Sequence, residues 1–262
     1  MKLRSVVTAN PMEPRRKIKM VLQYDGTAYH GWQRQRQEPT IQSVMEEKIR
    51  TITGGFSTLI ASGRTDAGVH AFGQVCHFLT DSTIAPEALR KGLNSLLPDD
   101  ILIKEVEDAP AHFHARYSAK SKVYEYRILN TPQPDPFLRF YSWHVPYKLD
   151  LGAIRECLTL LLGEHDFSSF RSSGSENMNP TREMILAELR APEDGILRFF
   201  FEADGFLRHM VRNMVGTLVD AGKGKWGAEE FKRIFESRDR QRAGVKSPPQ
   251  GLYLVEVRYD SA

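Results

Sequence analysis

Twice along the 262-residue chain the pattern runs strand, helix, strand, strand, helix, strand, and that order admits few architectures. In the first pass, residues 17–24 alternate as a strand and stop at the turn Asp25-Gly26-Thr27. Pro39-Thr40 opens a helix over residues 41–52, with Ile41, Val44, Met45 and Ile49 at helical spacing and Gly54-Gly55 ending it. Residues 57–61 and 69–79 read as strands on either side of a tight loop. A second helix starts at Pro86, whose missing N–H is not needed in a first turn, and residues 101–106 resume a strand. The second pass has a strand over 122–129, a helix over 149–162 and a hairpin of strands 184–189 and 196–203 around Pro192-Glu193-Asp194-Gly195. Helices over 206–221 and 228–235 and a strand over 252–259 complete it. Paired strands interleaved with helices predict an α+β fold, with helices on one face of a mainly antiparallel sheet. The two halves match in order but not in residues; the expected divisions are a disordered basic segment over 1–16 and halves over 17–111 and 112–262.

Composition narrows the class. A chain that is 41% hydrophobic and 26% charged has the makings of a sizeable core, and no stretch approaches the roughly 20 apolar residues of a membrane span. The first 19 residues, broken by Pro11 and Pro14, lack the apolar core of a signal peptide. Cys76 and Cys157 lie far apart in apolar surroundings, too few for a disulfide framework or a zinc site, so both are expected reduced and the protein cytoplasmic. The net charge of +3 is mild, but basic groups recur at Arg34/Arg36, Lys120/Lys122, Arg208/Arg212 and Arg238/Arg240/Arg242/Lys246. Lysines and arginines that meet phosphates release condensed counterions, so these groups suit a polyanion, although surface basic groups are common in any protein.

Chemistry concentrates in Ser62-Gly63-Arg64-Thr65-Asp66-Ala67-Gly68-Val69-His70-Ala71, where two glycines flank Arg64 and Asp66 between two strands. Glycine permits left-handed backbone and close approach of a ligand. A carboxylate beside a guanidinium stays ionised and can act as a nucleophile or base. The plainer alternative is a turn aspartate bonding its own backbone. Over 206–221, the apolar pairs Phe206/Leu207, Met210/Val211, Met214/Val215 and Leu218/Val219 predict one buried stripe, with Arg208/His209 and Arg212/Asn213 on another. Three further patterns fail. His112-x-His114 has no third metal ligand nearby. Asp25-Gly26-Thr27 has Gln23 where a dehalogenase-type phosphatase needs aspartate, and Gly222-Lys223-Gly224-Lys225 lacks the first glycine and the Ser/Thr of a P-loop.

Gly63-Arg64-Thr65-Asp66-Ala67-Gly68-Val69-His70-Ala71 resembles the signature loop of the TruA family of tRNA pseudouridine synthases. Further matches follow in order: Tyr24-Asp25-Gly26-Thr27-Ala28-Tyr29-His30-Gly31-Trp32-Gln33, Asn94-Ser95-Leu96-Leu97-Pro98, Phe113-His114-Ala115-Arg116-Tyr117-Ser118-Ala119 and Tyr124-Glu125-Tyr126. Gly163-Glu164-His165-Asp166-Phe167-Ser168-Ser169-Phe170-Arg171, His209-Met210-Val211-Arg212-Asn213-Met214-Val215-Gly216 and Gly251-Leu252-Tyr253-Leu254 continue it, so the resemblance spans residues 17–259. It implies two ferredoxin-like halves joined in one continuous sheet with a central RNA-binding cleft. It also implies an isomerase that converts uridine to pseudouridine at positions 38, 39 and 40 of the tRNA anticodon stem-loop, acting as a homodimer without cofactor or metal. Neither DNA nor a membrane is an expected partner. By the same resemblance Asp66 is the catalytic carboxylate, Tyr124 stacks on the target uracil and assists proton removal, Arg64 takes the place of the displaced base, and Arg212 pairs with Asp66. Two rivals stay open: a non-catalytic RNA-binding module on this platform, and a hydrolase that cleaves the glycosidic bond without reattachment, for which a second carboxylate is the usual requirement.

Overall fold

The computed structural model describes residues 15–172, 179–190 and 193–260. Its strands are β1 (Arg16–Tyr24), β2 (Ile60–Ala61), β3 (His70–Thr80), β4 (Ile101–Asp108), β5 (Ala119–Leu129), β6 (Trp143–His144), β7 (Gly163–Asp166), β8 (Thr181–Leu189), β9 (Ile196–Ala203) and β10 (Leu252–Tyr259). The helices are α1 (Ile41–Thr53), α2 (Pro86–Asn94), α3 (Leu151–Thr159), α4 (Met210–Gly222) and α5 (Ala228–Glu236). Among the described residues the strands form one sheet in the order β4-β1-β3-β10-β5-β9-β8-β7, with β2 on β3 and β6 on β5. Pairing is antiparallel throughout except for β10 with β3 and β5 with β6. The α+β, mainly antiparallel fold read from the sequence is the one observed.

Local chemistry explains the elements. Thr40 caps α1 through a reciprocal box with Ser43, and Gly54 ends it at φ +75°. One face of α1 buries Ile41, Met45 and Ile49, which join Ile18, Met20 and Leu22 from alternate positions of β1 in the core. In the second half α3 packs on β8 and α4 on β5. The last strand, β10, lies at the centre of the sheet, parallel to β3 at Tyr253↔His70 and antiparallel to β5 at Leu254↔Tyr124. A strand made from the C-terminus therefore welds the sheet of one half to that of the other.

The structure departs from the sequence reading in several places. Of the segment expected to be disordered, residues 1–14 lie outside the described residues, whereas Arg15 binds Asp81 and Arg16 opens β1. Pro192 of the expected hairpin turn also lies outside them; Asp194 and Gly195 turn with positive φ. Only Ile60–Ala61 of the strand expected over 57–61 pairs with β3, and Ser57 is held instead by its hydroxyl, which donates to the Leu79 carbonyl. The short strands β6 and β7 were not foreseen. The helix expected from 206 starts at Met210, because His209 takes a left-handed φ of +62° that no helix accommodates. Nor does α4 present a solvated stripe: Arg212 and Asn213 are buried with the apolar residues. Both are satisfied. Arg212 bonds the Ser247 carbonyl, while Asn213 donates to the Phe170 carbonyl and accepts from Arg240.

The closest packing on α4 is at Gly216, where a Cβ would stand 1.7 Å from the carbonyl oxygen of Val245. Gly216→Ala must push apart α4 and the segment that carries Val245 and Ser247. Overpacking of this kind costs about 1–3 kcal/mol, and a backbone obstacle puts Gly216→Ala near the top, at about 3 kcal/mol. Urea unfolding is expected to show a lower midpoint with an unchanged slope.

Candidate active site

The loop between β2 and β3 is fixed at nearly every residue. Ser62 donates its N–H to the Val75 carbonyl and its hydroxyl to Gln74, whose amide in turn donates to the Gly63 carbonyl. Thr65 accepts the Trp32 N–H through its carbonyl and shares a 2.8 Å hydroxyl contact with Tyr24. The turn Asp25–Trp32 thus serves as a bed for the loop. Its glycines are required for that: a Cβ on Gly31, at φ +85°, would sit 2.6 Å from the Thr65 carbonyl oxygen, and one on Gly26 would sit 2.0 Å from that of Val69. His70 fastens the other end. Its Nε2 meets the Phe140 carbonyl at 2.9 Å, which requires that nitrogen to carry the proton and leaves Nδ1 to accept the Gly26 N–H.

Asp66 projects from this scaffold with its side chain one-third exposed. Its Oδ2 accepts a 2.7 Å hydrogen bond from Arg212 on α4, a guanidinium whose Nε is committed to the Ser247 carbonyl at 2.8 Å. His209, immediately before α4, places Nε2 3.4 Å from the same oxygen, while its buried Nδ1 has no partner among the described residues. Among those residues Oδ1 accepts no hydrogen bond and remains open. Burial opposes ionisation of Asp66, but His209 and Arg212 together outweigh it and hold the carboxyl below its ordinary pKa. The result is a carboxylate anchored through one oxygen and, among the described residues, without a hydrogen bond at the other. It is not a turn aspartate: its carbonyl closes the turn by accepting the Val69 N–H, and its side chain takes no part.

Tyr124 is buried on β5, its ring edge-on to Phe206 at 4.9 Å. Burial first, then the fields of Tyr24 and Asp66, raise its phenol pKa, so the hydroxyl keeps its proton. Tyr126 points the same way two residues on but donates its hydroxyl to the Pro248 carbonyl at 2.7 Å, a supporting contact. Arg64 is exposed at the loop's apex, two residues from Asp66. The fold therefore brings Asp66, Arg212 and Tyr124 together and leaves Arg64 at the rim. His209 was not singled out in the sequence. Its place beside Arg212 in Arg208-His209-Met210-Val211-Arg212 suggested an outer stripe, and only its left-handed backbone turns it to the carboxylate. His114 packs against His77 and Tyr117, and its Nδ1 accepts the backbone N–H groups of Arg116 and Tyr117.

Arg212→Met is expected to raise the Asp66 pKa, because burial then acts against His209 alone; a carboxyl-resolved NMR titration checks the direction. It also strips the Ser247 carbonyl of a donor, a loss of about 1–3 kcal/mol measurable by urea unfolding.

A family model described as tRNA pseudouridine synthase matches residues 20–118 and 158–260, which include Asp66 and Arg212. Curated relatives agree along the whole fold. The tRNA pseudouridine synthase A of Acetivibrio thermocellus is 47% identical over 244 residues, 93% of this chain and all of the relative. That of a Geobacillus species is 45% identical over 247 residues, 94% of this chain and 99% of the relative. That of Syntrophotalea carbinolica is 42% identical over 242 residues, 92% and 96% respectively. With so much of its length matched, this chain belongs to the tRNA pseudouridine synthase family.

Proposed function

We propose that the protein isomerises uridine to pseudouridine at positions 38, 39 and 40 of the tRNA anticodon stem-loop, with Asp66 as the catalytic carboxylate. The observation that carries this reading is the division of labour on that carboxylate: Oδ2 is held by Arg212, and among the described residues Oδ1 accepts no hydrogen bond, on a side chain one-third exposed. The reaction breaks the bond between N1 and the ribose, turns the uracil, forms a bond from C5 to the same ribose carbon and releases the C5 hydrogen as a proton while N1 takes one up. Atoms and electrons balance within the substrate, so no redox partner or group donor enters. An anionic oxygen fixed by a guanidinium suits either attack on the ribose or base or removal of a ribose proton.

Tyr124 offers the target base an aromatic face; stacking of this kind contributes about 1–3 kcal/mol per base. Because its phenol is held protonated, any proton removal by Tyr124 belongs to a later state in which substrate has changed its surroundings. Arg64, exposed on the loop, is placed to follow the extruded nucleotide into the gap it leaves, offsetting part of the few kcal/mol that unstacking costs. We assign the catalytic loop to a half over 17–111 and the completion of the cleft to a half over 112–262, with the protein acting as a homodimer in the cytoplasm. The neighbours of Asp66 favour isomerase over hydrolase: among the described residues its carboxylate meets Arg212 and His209, not the second carboxylate of a glycosidase.

The test compares Asp66→Asn with wild type on an unmodified tRNA transcript. Nucleoside analysis after digestion is expected to show pseudouridine at 38–40 with wild type. In the variant the rate should fall by at least the roughly 10²–10⁴-fold that one positioned proton-transfer group supplies. Binding, read by filter retention, should be largely kept. Free uracil from wild type points instead to a hydrolase, and tight binding without product to a module.

A further inference from the structure

Two residues before Tyr124 on β5, Lys122 extends from the same face of the strand, and its register with β9 places it opposite Ala203. Met184 of β8 pairs with Ala203 from the other side, and Arg182, two residues before Met184, shares that face. Lys122, Tyr124 and Arg182 therefore line one face where β9 gives way to Asp204 and Gly205. The Lys122 tip reaches the catalytic loop, with Cε and Nζ each 3.8 Å from where a Cβ on Gly63 would stand. Arg182 is nine-tenths buried, and the absence of a side chain at Gly205 makes room for it, since a Cβ there would lie 3.2 Å from its Nε.

Among the described residues this cationic pair has no carboxylate at ion-pairing distance, although the charge of Asp204 acts on both members through space. Among the described residues neither Lys122 nor Arg182 forms an ion pair. Among them the Lys122 ammonium makes no hydrogen bond, and the Arg182 guanidinium donates only to the carbonyls of Asn179 and Thr181. The carboxylate nearby, Asp204, accepts the Glu183 N–H. Burial first, then the guanidiniums of Arg116 and Arg182, lower the Lys122 pKa to about 8 against the counter-pull of Asp204. A buried charge left unpaired in the free protein costs stability, and such a cost is retained where a ligand supplies the missing partner.

We propose that Lys122 and Arg182 form a receptor for a backbone phosphodiester of the RNA, one of the two that flank the target uridine. Two strand positions separate Lys122 from Tyr124 by roughly 7 Å, the scale of the step from a base to its own backbone. The inference rests on the functional reading above and adds the part of the substrate that the site grips while the base is turned. Gripping phosphate is compatible with that turn, because the backbone need not move when the glycosidic bond is broken.

The test uses full-length protein and anticodon stem-loop RNAs that carry a single uncharged methylphosphonate on either side of the target uridine. Wild type is expected to lose about tenfold or more in KM for one of the two RNAs, the worth of a charge-assisted hydrogen bond, with kcat nearly kept. Lys122→Met should show that loss already on unmodified RNA and no further loss on the neutral linkage. Lys122→Arg should restore the KM, and the melting temperature of Lys122→Met should be equal to or above wild type. The salt dependence of binding by Lys122→Met should flatten by about 0.7–0.9 in log–log slope. An unchanged KM for Lys122→Met, penalties that simply add, or a lowered melting temperature without Arg rescue overturns the receptor alone. Wild type that forms no pseudouridine on the unmodified RNA overturns the functional reading, and the receptor's ligand with it.

Discussion

The bond from Arg212 to Asp66 joins residues 146 positions apart in the chain, and the site exists only where it closes. Asp66 comes from a loop bedded on β1 and its turn; Arg212 comes from a helix whose partners are the Ser247 strap and the second-half core. Each end is fixed before the two meet, so little side-chain freedom remains to be lost on closing. A pair of this kind is more than a pKa device. It ties the loop before β3 to α4 and engages one oxygen of the carboxylate, Oδ2.

Much of this was legible in the residues because the governing forces are local. Alternation in residues 17–24 and 122–129 follows from one buried face per strand, and Thr40 and Gly54 mark the ends of α1 through backbone groups that need capping. Asp66, Tyr124, Arg64 and Arg212 stood out through motif resemblance, and in the structure Arg212 bonds Asp66. What was not legible depends on contacts across the chain. Periodicity says that residues 252–259 are a strand but not that they occupy the middle of the sheet. Periodicity put Arg212 and Asn213 on a stripe apart from the buried one; they are buried all the same because Asp66, Ser247, Phe170 and Arg240 satisfy them. His209 was hidden for a related reason. Its function depends on a backbone angle that no side-chain pattern announces.

Glycines in the two long motifs near the N-terminus answer to steric demand from the chain itself. Gly26 and Gly31 allow the turn after β1 to press its backbone against that of the loop that carries Asp66, and His70 closes the same stack with its ring lying 4.7 Å from Tyr253 of β10. The loop that carries Asp66 is therefore clamped between the first strand's turn and the last strand. This is how a short loop holds a carboxylate steady enough for chemistry without a helix or long strand of its own.

The central position of β10 has a bearing on how the enzyme comes into being. On the ribosome, β1 through β4 emerge early and have each other for partners, yet the edge of β3 that accepts β10 stays bare until Leu252–Tyr259 has been made, after every other strand of the sheet among the described residues. A nascent chain that lacks β10 can hold the loop that carries Asp66 but not the seam that joins β3 to β5.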